Sequence, residues 1–98
     1  MTIKSIQEEV IDEFLLFDDW MQKYEYMIDL GKSLPLINEK NKTDDRLIKG
    51  CQSKVWLTAE LIDNKIVFNA DSNTAITKGL VSLLVRILSN QKPEDILL

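Results

Sequence analysis

Residues 55–70 decide the fold class. Val55 to Ile62 alternates between two faces and is rich in strand-forming residues, and Ile66 to Ala70 repeats the character after a short break. The break, Asp63-Asn64, suits a two-residue turn, and strands joined so tightly can pair only as an antiparallel hairpin. Leu47 to Lys49 is a weaker candidate for a further short strand leading into Gly50-Cys51. On both sides of this block the apolar period lengthens to that of a helix. Ser5 and Glu8 are spaced as a capping box, followed by a stripe of Ile6, Val10, Phe14 and Phe17, with Glu9, Asp12 and Glu13 toward water. Asp18 is placed to cap a second helix with Trp20, Tyr24, Met27 and Ile28 inward, and Gly31 is placed as a left-handed stop. Asp71 or Ser72 is placed to cap a third helix, from about Asn73 to Ser89, with Ile76, Leu80, Leu83, Leu84 and Ile87 inward. Gly79 inside that helix costs about 1 kcal/mol relative to alanine, which points to the close approach of another backbone. Pro93-Glu94-Asp95 reads as the first turn of a fourth helix.

Between Gly31 and Arg46 the period disappears. Gly31, Pro35, Asn38 and Asn41 describe an ordered loop, pinned by Leu34, Leu36 and Ile37. The expectation is an α+β fold, in which a small antiparallel sheet of about three strands packs against helices. Its 98 residues form a single domain spanning residues 1–98.

Composition removes whole classes of function. There is no histidine, so neither a Ser-His-Asp nor a Cys-His site can form within the chain. There is one cysteine, so no internal disulfide and no CxxC site, and no metal cofactor is expected. Sixteen acids against twelve bases leave a net charge of −4, which argues against nucleic acid as a partner. The longest apolar stretch, near Leu80 to Leu88, is interrupted by Ser82 and Arg86 and is too short to span a bilayer. The acidic, amphipathic start is unlike a signal peptide, and a lone thiol fits a reducing compartment, so a cytoplasmic location is expected.

Charge is unevenly distributed: net −6 over residues 1–31, +3 over 32–54 and −1 over 55–98. The single cysteine, Cys51, lies in the one basic segment. A thiol attacks only as the thiolate, and a free one near pKa 8.5 is only a few per cent ionised at pH 7. Arg46, Lys49 and Lys54 would favour the anion, and Gly50 gives the backbone freedom for a tight loop. A lone cysteine is also commonly a small buried hydrophobe. If Cys51 reacts, the absence of histidine leaves sulfur relay or thiol exchange with a partner rather than hydrolysis.

Five blocks of the sequence, collinear from about residue 8 onward, resemble the SufE-like, Fe–S metabolism associated family. Tyr26-Met-Ile-Asp-Leu-Gly-Lys-Ser-Leu-Pro35 resembles its Y-x-I-x-L-G-x-x-L-P segment, and Gly50-Cys-Gln-Ser-Lys-Val-Trp56 its G-C-Q-S-Q-V-W signature. Ala70-Asp-Ser-Asn73 resembles x-D-S-D, Ile76-Thr-Lys-Gly-Leu80 resembles I-V-K-G-L, and Pro93-Glu-Asp-Ile-Leu97 resembles P-E-E-I-L. The resemblance implies a fold like that of IscU-type scaffolds and a role as a sulfur acceptor. Cys51 would take persulfide sulfur from a pyridoxal-phosphate cysteine desulfurase of SufS type, stimulate that enzyme, and pass the sulfur to a SufB-like iron–sulfur scaffold. Gly50, Gln52 and Ser53 would form the loop around the thiol. Asp71 and Ser72 would act from the neighbouring turn as helix cap, loop support or partner contact. Lys32, Arg46 and Lys49 are candidates for the docking face. The resting thiol would lie in an apolar pocket for which Val55, Trp56 and Leu47 are candidates. An alternative reading is an adaptor that binds a desulfurase without using its thiol; a stand-alone redox sensor is disfavoured because no resolving cysteine exists.

Two departures stand out. Lys54 replaces the glutamine of the signature. Members of the family also continue through a further helical region with an S-x-R-S-N-G-like motif that these residues do not match. The resemblance therefore implies apolar surface left uncovered along the third helix, favouring a homodimer or lower stability.

Overall fold

A computed structural model of the protein describes residues 1–35, 37–48 and 52–97; Leu36, Lys49, Gly50, Cys51 and Leu98 lie outside the described residues. At the centre is the hairpin that the sequence predicts. Strand β1 (Val55–Ile62) pairs antiparallel with β2 (Lys65–Ser72), in a register running from Val55 opposite Ser72 to Ile62 opposite Lys65. Asp63 and Asn64 have φ of 51° and 65°, the pair of left-handed conformations that matches a two-residue turn to the twist of its strands. The sheet has two strands among the described residues, not about three. Leu47 makes only an isolated bridge to Trp56, with the Ile48 amide donating to the Val55 carbonyl at 2.9 Å. A 3₁₀ turn at Asp44–Arg46 immediately precedes this bridge.

The outer edge of β2 is covered by irregular chain. The Ala70 amide donates to the Pro35 carbonyl at 3.2 Å, and the Ile66 amide donates to the Gln91 carbonyl at 2.8 Å. These bonds satisfy groups that would otherwise template pairing with another strand. The loop before β1 contains a second 3₁₀ turn, Glu39–Asn41, and is pinned by Leu34 and Ile37, 5% and 3% exposed.

Helices α1 (Ile3–Phe14), α2 (Trp20–Gly31), α3 (Ala75–Leu88) and the single turn α4 (Pro93–Ile96) complete the α+β fold. Their starts differ from expectation by a few residues. The capping box of α1 is formed by Thr2 and Ser5, whose side chains and amides bond reciprocally at 3.0 Å. Thr2 is the earlier residue able to cap, so Glu8 falls inside the helix. Asp19, not Asp18, caps α2, accepting from the Gln22 amide at 2.8 Å. Asp71 and Ser72 belong to β2, and Thr74 occupies the N-cap of α3.

Helix α3 packs on α2 and β2 and more lightly on α1. The backbone approach expected at Gly79 is present, and it corrects the assignment of inward side chains. A Cβ added to Gly79 would lie 2.5 Å from the Met27 carbonyl oxygen, and one on Gly31 would lie 2.9 Å from the Gly79 nitrogen. Gly31 is thus the last residue of α2 and a contact point, not a left-handed stop, and Lys32 after it is right-handed at φ −67°. Backbones this close admit only small or slender side chains between them. The buried face of α3 is accordingly Gly79, Ser82 and Val85, while Ile76, Leu80 and Leu84, expected inward, are 50%, 50% and 57% exposed. On α2, Met27 is buried, but Trp20 and Tyr24 face outward. The core proper gathers Leu34, Ala70 and Val85 with Leu57, Phe68 and Val81 around them.

Glu13, expected to face water, instead joins three helices. Arg86 Nη1 donates to its Oε1 at 2.9 Å, and Nη2 and the Tyr26 hydroxyl also donate to the carboxylate. The bond from Arg86 first, then that from Tyr26, holds the Glu13 carboxyl at about 2 against the opposing effect of burial. Among the described residues no helix is long and apolar enough to cross a membrane.

Candidate functional site

Cys51, Gly50 and Lys49 lie outside the described residues, so the site is built from the residues that flank them. The described chain resumes at Gln52, which is exposed, and Ser53, which is half-buried. Ser53 and Lys54 are fastened to the junction between β2 and α3. The Thr74 and Thr77 hydroxyls donate to Ser53 Oγ at 3.1 and 3.2 Å. The Lys54 amide donates to Asn73 Oδ1 at 3.0 Å, and the Asn73 amide donates to the Lys54 carbonyl at 3.2 Å. Hairpin register explains the meeting. Val55, the first residue of β1, pairs with Ser72, the last of β2, so residues 53–54 and 73–74 continue side by side beyond the ladder.

Asp71 and Ser72, the last two residues of β2, are both buried here. Asp71 Oδ2 lies 2.6 Å from Lys42 Nζ, and Oδ1 lies 3.4 Å from Lys78 Nζ and accepts from the Ser72 amide at 2.8 Å. Burial pushes this carboxyl up. The Lys42 bond, the Ser72 amide and the two ammonium charges outweigh it and hold the carboxyl below the usual range. Lys42 also lies over the Trp56 ring, 5.4 Å from its centroid, and bonds Glu39 at 2.8 Å. Trp56 is directly opposite Asp71 across the hairpin, so one ammonium serves both side chains. Ser72 Oγ accepts from the Thr74 amide at 3.4 Å, which makes Ser72 a support for the helix entry, two residues before the N-cap position expected of it.

Sequence reasoning missed Lys42, Lys78, Asn73, Thr74 and Thr77. A carboxylate at the end of a buried strand demands a cation, but the distance in sequence from Lys42 to Asp71 gave no register. The candidates for docking are spread out. Arg46 is exposed on the 3₁₀ turn before Leu47, and Lys32 sits past the end of α2, paired with Asp29 at 3.2 Å. Of the residues expected to line an apolar pocket, Val55 is 2% exposed in the core, and Trp56 lies under Lys42. A wholly apolar cleft of about 140 Å³ is lined by Ile48, Leu57, Phe68, Val81, Leu84, Val85 and Leu88. Ile48 is the last described residue before Lys49. Among the described residues no three histidine, cysteine, aspartate or glutamate side chains are grouped as a metal site would need.

The family model for SufE, the Fe–S metabolism associated domain, matches residues 8–98. An uncharacterized SufE-like protein of Rhizobium meliloti (strain 1021) is 34% identical over 93 residues, covering 91% of this chain and 66% of the relative. An uncharacterized SufE-like protein of Rhizobium etli is 36% identical over 93 residues, covering 91% and 63%. The chain therefore spans just under two thirds of the length of these curated relatives. With the family model matched from residue 8 to the last residue, the chain belongs to the SufE family of Fe–S metabolism associated domains.

Proposed function

We propose that the protein is a cytoplasmic sulfur acceptor in iron–sulfur cluster assembly. It takes persulfide sulfur onto Cys51 from a pyridoxal-phosphate cysteine desulfurase of SufS type, thereby stimulating that enzyme. It then relays the sulfur to a scaffold of SufB type. The observation that carries the reading is that a chain of this family has a single thiol, set in Gly50-Cys-Gln-Ser-Lys-Val-Trp56.

The transfer needs no oxidant or reductant. The Cys51 thiolate attacks the terminal sulfur of the donor persulfide, a new S–S bond forms, the donor S–S bond breaks, and the donor cysteine leaves as thiolate. Lys54, three residues after Cys51, and Arg46 before it add positive charge to this part of the sequence, and charge of that sign favours both the attacking anion and an acidic partner surface. The apolar cleft beginning at Ile48 is a shelter of the right character for a resting thiol or persulfide, away from other thiols. The exposed apolar side chains of α2 and α3, Trp20, Tyr24, Ile76 and Leu80, offer surface to a partner or to a second copy.

The test is desulfurase turnover, read as alanine formed from cysteine. Addition of the protein is expected to raise turnover, and Cys51→Ser is expected to abolish the increase. Stimulation undiminished in Cys51→Ser would overturn the carrier reading in favour of an adaptor that binds the desulfurase without using its thiol.

A further inference from the structure

The two edges of the hairpin are finished differently. In an antiparallel pair, successive residues point their hydrogen-bonding groups alternately toward the partner strand and away from it. Ile62 and Lys65 flank the two-residue turn as a hydrogen-bonded pair, so Glu60 and Ile62 bond to β2, whereas Ala59 and Leu61 present amide and carbonyl outward. Phe68 and Ile66, opposite them on β2, obey the same rule, and there the outward groups are used. The Phe68 amide donates to Ser89 Oγ at 2.9 Å and the Ile66 amide to the Gln91 carbonyl at 2.8 Å. No described residue does this for Ala59 or Leu61. The chain that bridges β1 at Leu47 meets it at Trp56, short of them, and residues 59–62 are exposed, Leu61 to 66%.

An edge of unpaired amides and carbonyls accepts another extended backbone. A second copy fits it poorly. The register that pairs Ala59 of each copy with Leu61 of the other sets Glu60 directly opposite its own copy, like charge against like. Sliding by two residues either drives Ile62 against Leu47 of the other copy or leaves Leu61 alone paired. A segment with a cation between two apolar residues meets no such conflict. Leu57 lines the apolar cleft against α3, so by strand alternation Ala59 and Leu61 share its side and Glu60 lies on the opposite face. Glu60 has no ion pair among the described residues.

We propose that residues 59–62 are a docking edge for an extended segment of a partner protein. The segment adds antiparallel to β1, with apolar residues opposite Ala59 and Leu61 and a lysine or arginine opposite Glu60. The inference is separate from the carrier reading and stands or falls without it.

The test is hydrogen exchange and nitrogen–proton correlation spectra of the full chain, with and without the end-blocked peptide Thr-Val-Lys-Val-Thr. In the free protein the Ala59 and Leu61 amides should exchange about 10-fold faster than those of Thr58 and Glu60, which bond to β2. The peptide at millimolar concentration should shift the Ala59 and Leu61 signals and slow their exchange. Glutamate in place of its lysine should weaken binding by about 3- to 10-fold, and Glu60→Lys should reverse that preference, which a misfolded variant could not do. Methylation of both valine nitrogens should abolish binding. Ala59 and Leu61 amides as slow as that of Glu60 in the free protein would overturn the proposal, as would a peptide without effect on them, equal binding of the lysine and glutamate peptides, or undiminished binding of the methylated one. Protection that grows with protein concentration alone would give the edge to a second copy and overturn it equally.

Discussion

Replacing Gly79 with alanine sets two effects of opposite sign against each other. In an exposed helix interior the change stabilises by roughly 1 kcal/mol, because alanine loses less backbone entropy. At Gly79 the added methyl would meet the Met27 carbonyl oxygen at 2.5 Å and the Met27 carbonyl carbon and Cγ at 2.9 Å. The carbonyl belongs to the regular backbone of α2 and cannot rotate aside as a side chain can. Restoring ordinary contact therefore requires α2 and α3 to separate by roughly 1 Å, across a seam where close packing supplies much of the dispersion energy. Overpacking of this kind costs about 1–3 kcal/mol, and backbone against backbone belongs at the upper end. Net of the propensity gain, Gly79→Ala should destabilise by about 1–2 kcal/mol and lower the melting temperature by about 4–15 °C. Urea denaturation followed by circular dichroism at 222 nm measures it. Leu80→Ala, at a neighbouring site that is 50% exposed, should change stability by less than about 1 kcal/mol. A Gly79→Ala variant more stable than the parent would refute the reasoning, since it would mean the helices are not in backbone contact.

Three further outcomes follow from the packing. Glu13→Gln should lower stability at pH 7 by about 1–2 kcal/mol, a value discounted because the Arg86–Glu13 pair is partly open to solvent. Because the native carboxyl is held at about 2 against an ordinary 4.5, its contribution is complete above pH 4.5 and disappears as pH falls toward 2. The two unfolding curves should converge over that window, and a gap independent of pH would contradict the assignment. Asn64→Gly should stabilise the hairpin by about 0.5 kcal/mol and Asn64→Val should destabilise it by about 1–2 kcal/mol, as φ of 65° demands; equal melting temperatures would count against the turn geometry. Lys42→Met removes the nearer cation from Asp71 and the charge over Trp56, so the melting temperature should fall and the Trp56 emission, recorded in a Trp20→Phe background, should shift.

The hairpin, its turn and the helices were legible because each is a local signal: alternation, two residues able to take positive φ, and recurrence at helical spacing. Gly79 was legible for a related reason, since glycine in mid-helix has a known cost that something must offset. What the period of α3 does not contain is which apolar residues meet the protein. Ile76, Leu80 and Leu84 form as good a stripe as Gly79, Ser82 and Val85, and only the proximity of α2 selects the smaller set. The same limit applies to Glu13, whose charge reads as solvated until Arg86 and Tyr26 are brought to it from distant helices. At the candidate site, Ser53, Asp71 and Ser72 were marked by the motifs, whereas Lys42, Thr74 and Thr77 depend on hairpin register and on the path of an aperiodic loop. The reading of Cys51 itself came from the motif around it and the absence of any other thiol.

The most direct test of the carrier claim is the mass of the protein after incubation with a cysteine desulfurase and free cysteine, followed by separation under non-reducing conditions. The account predicts a persulfide adduct, about +32 Da for one added sulfur, located on the peptide containing Cys51, removed by reductant and absent from Cys51→Ser. An unmodified Cys51 in a mixture where the desulfurase is turning over would contradict it.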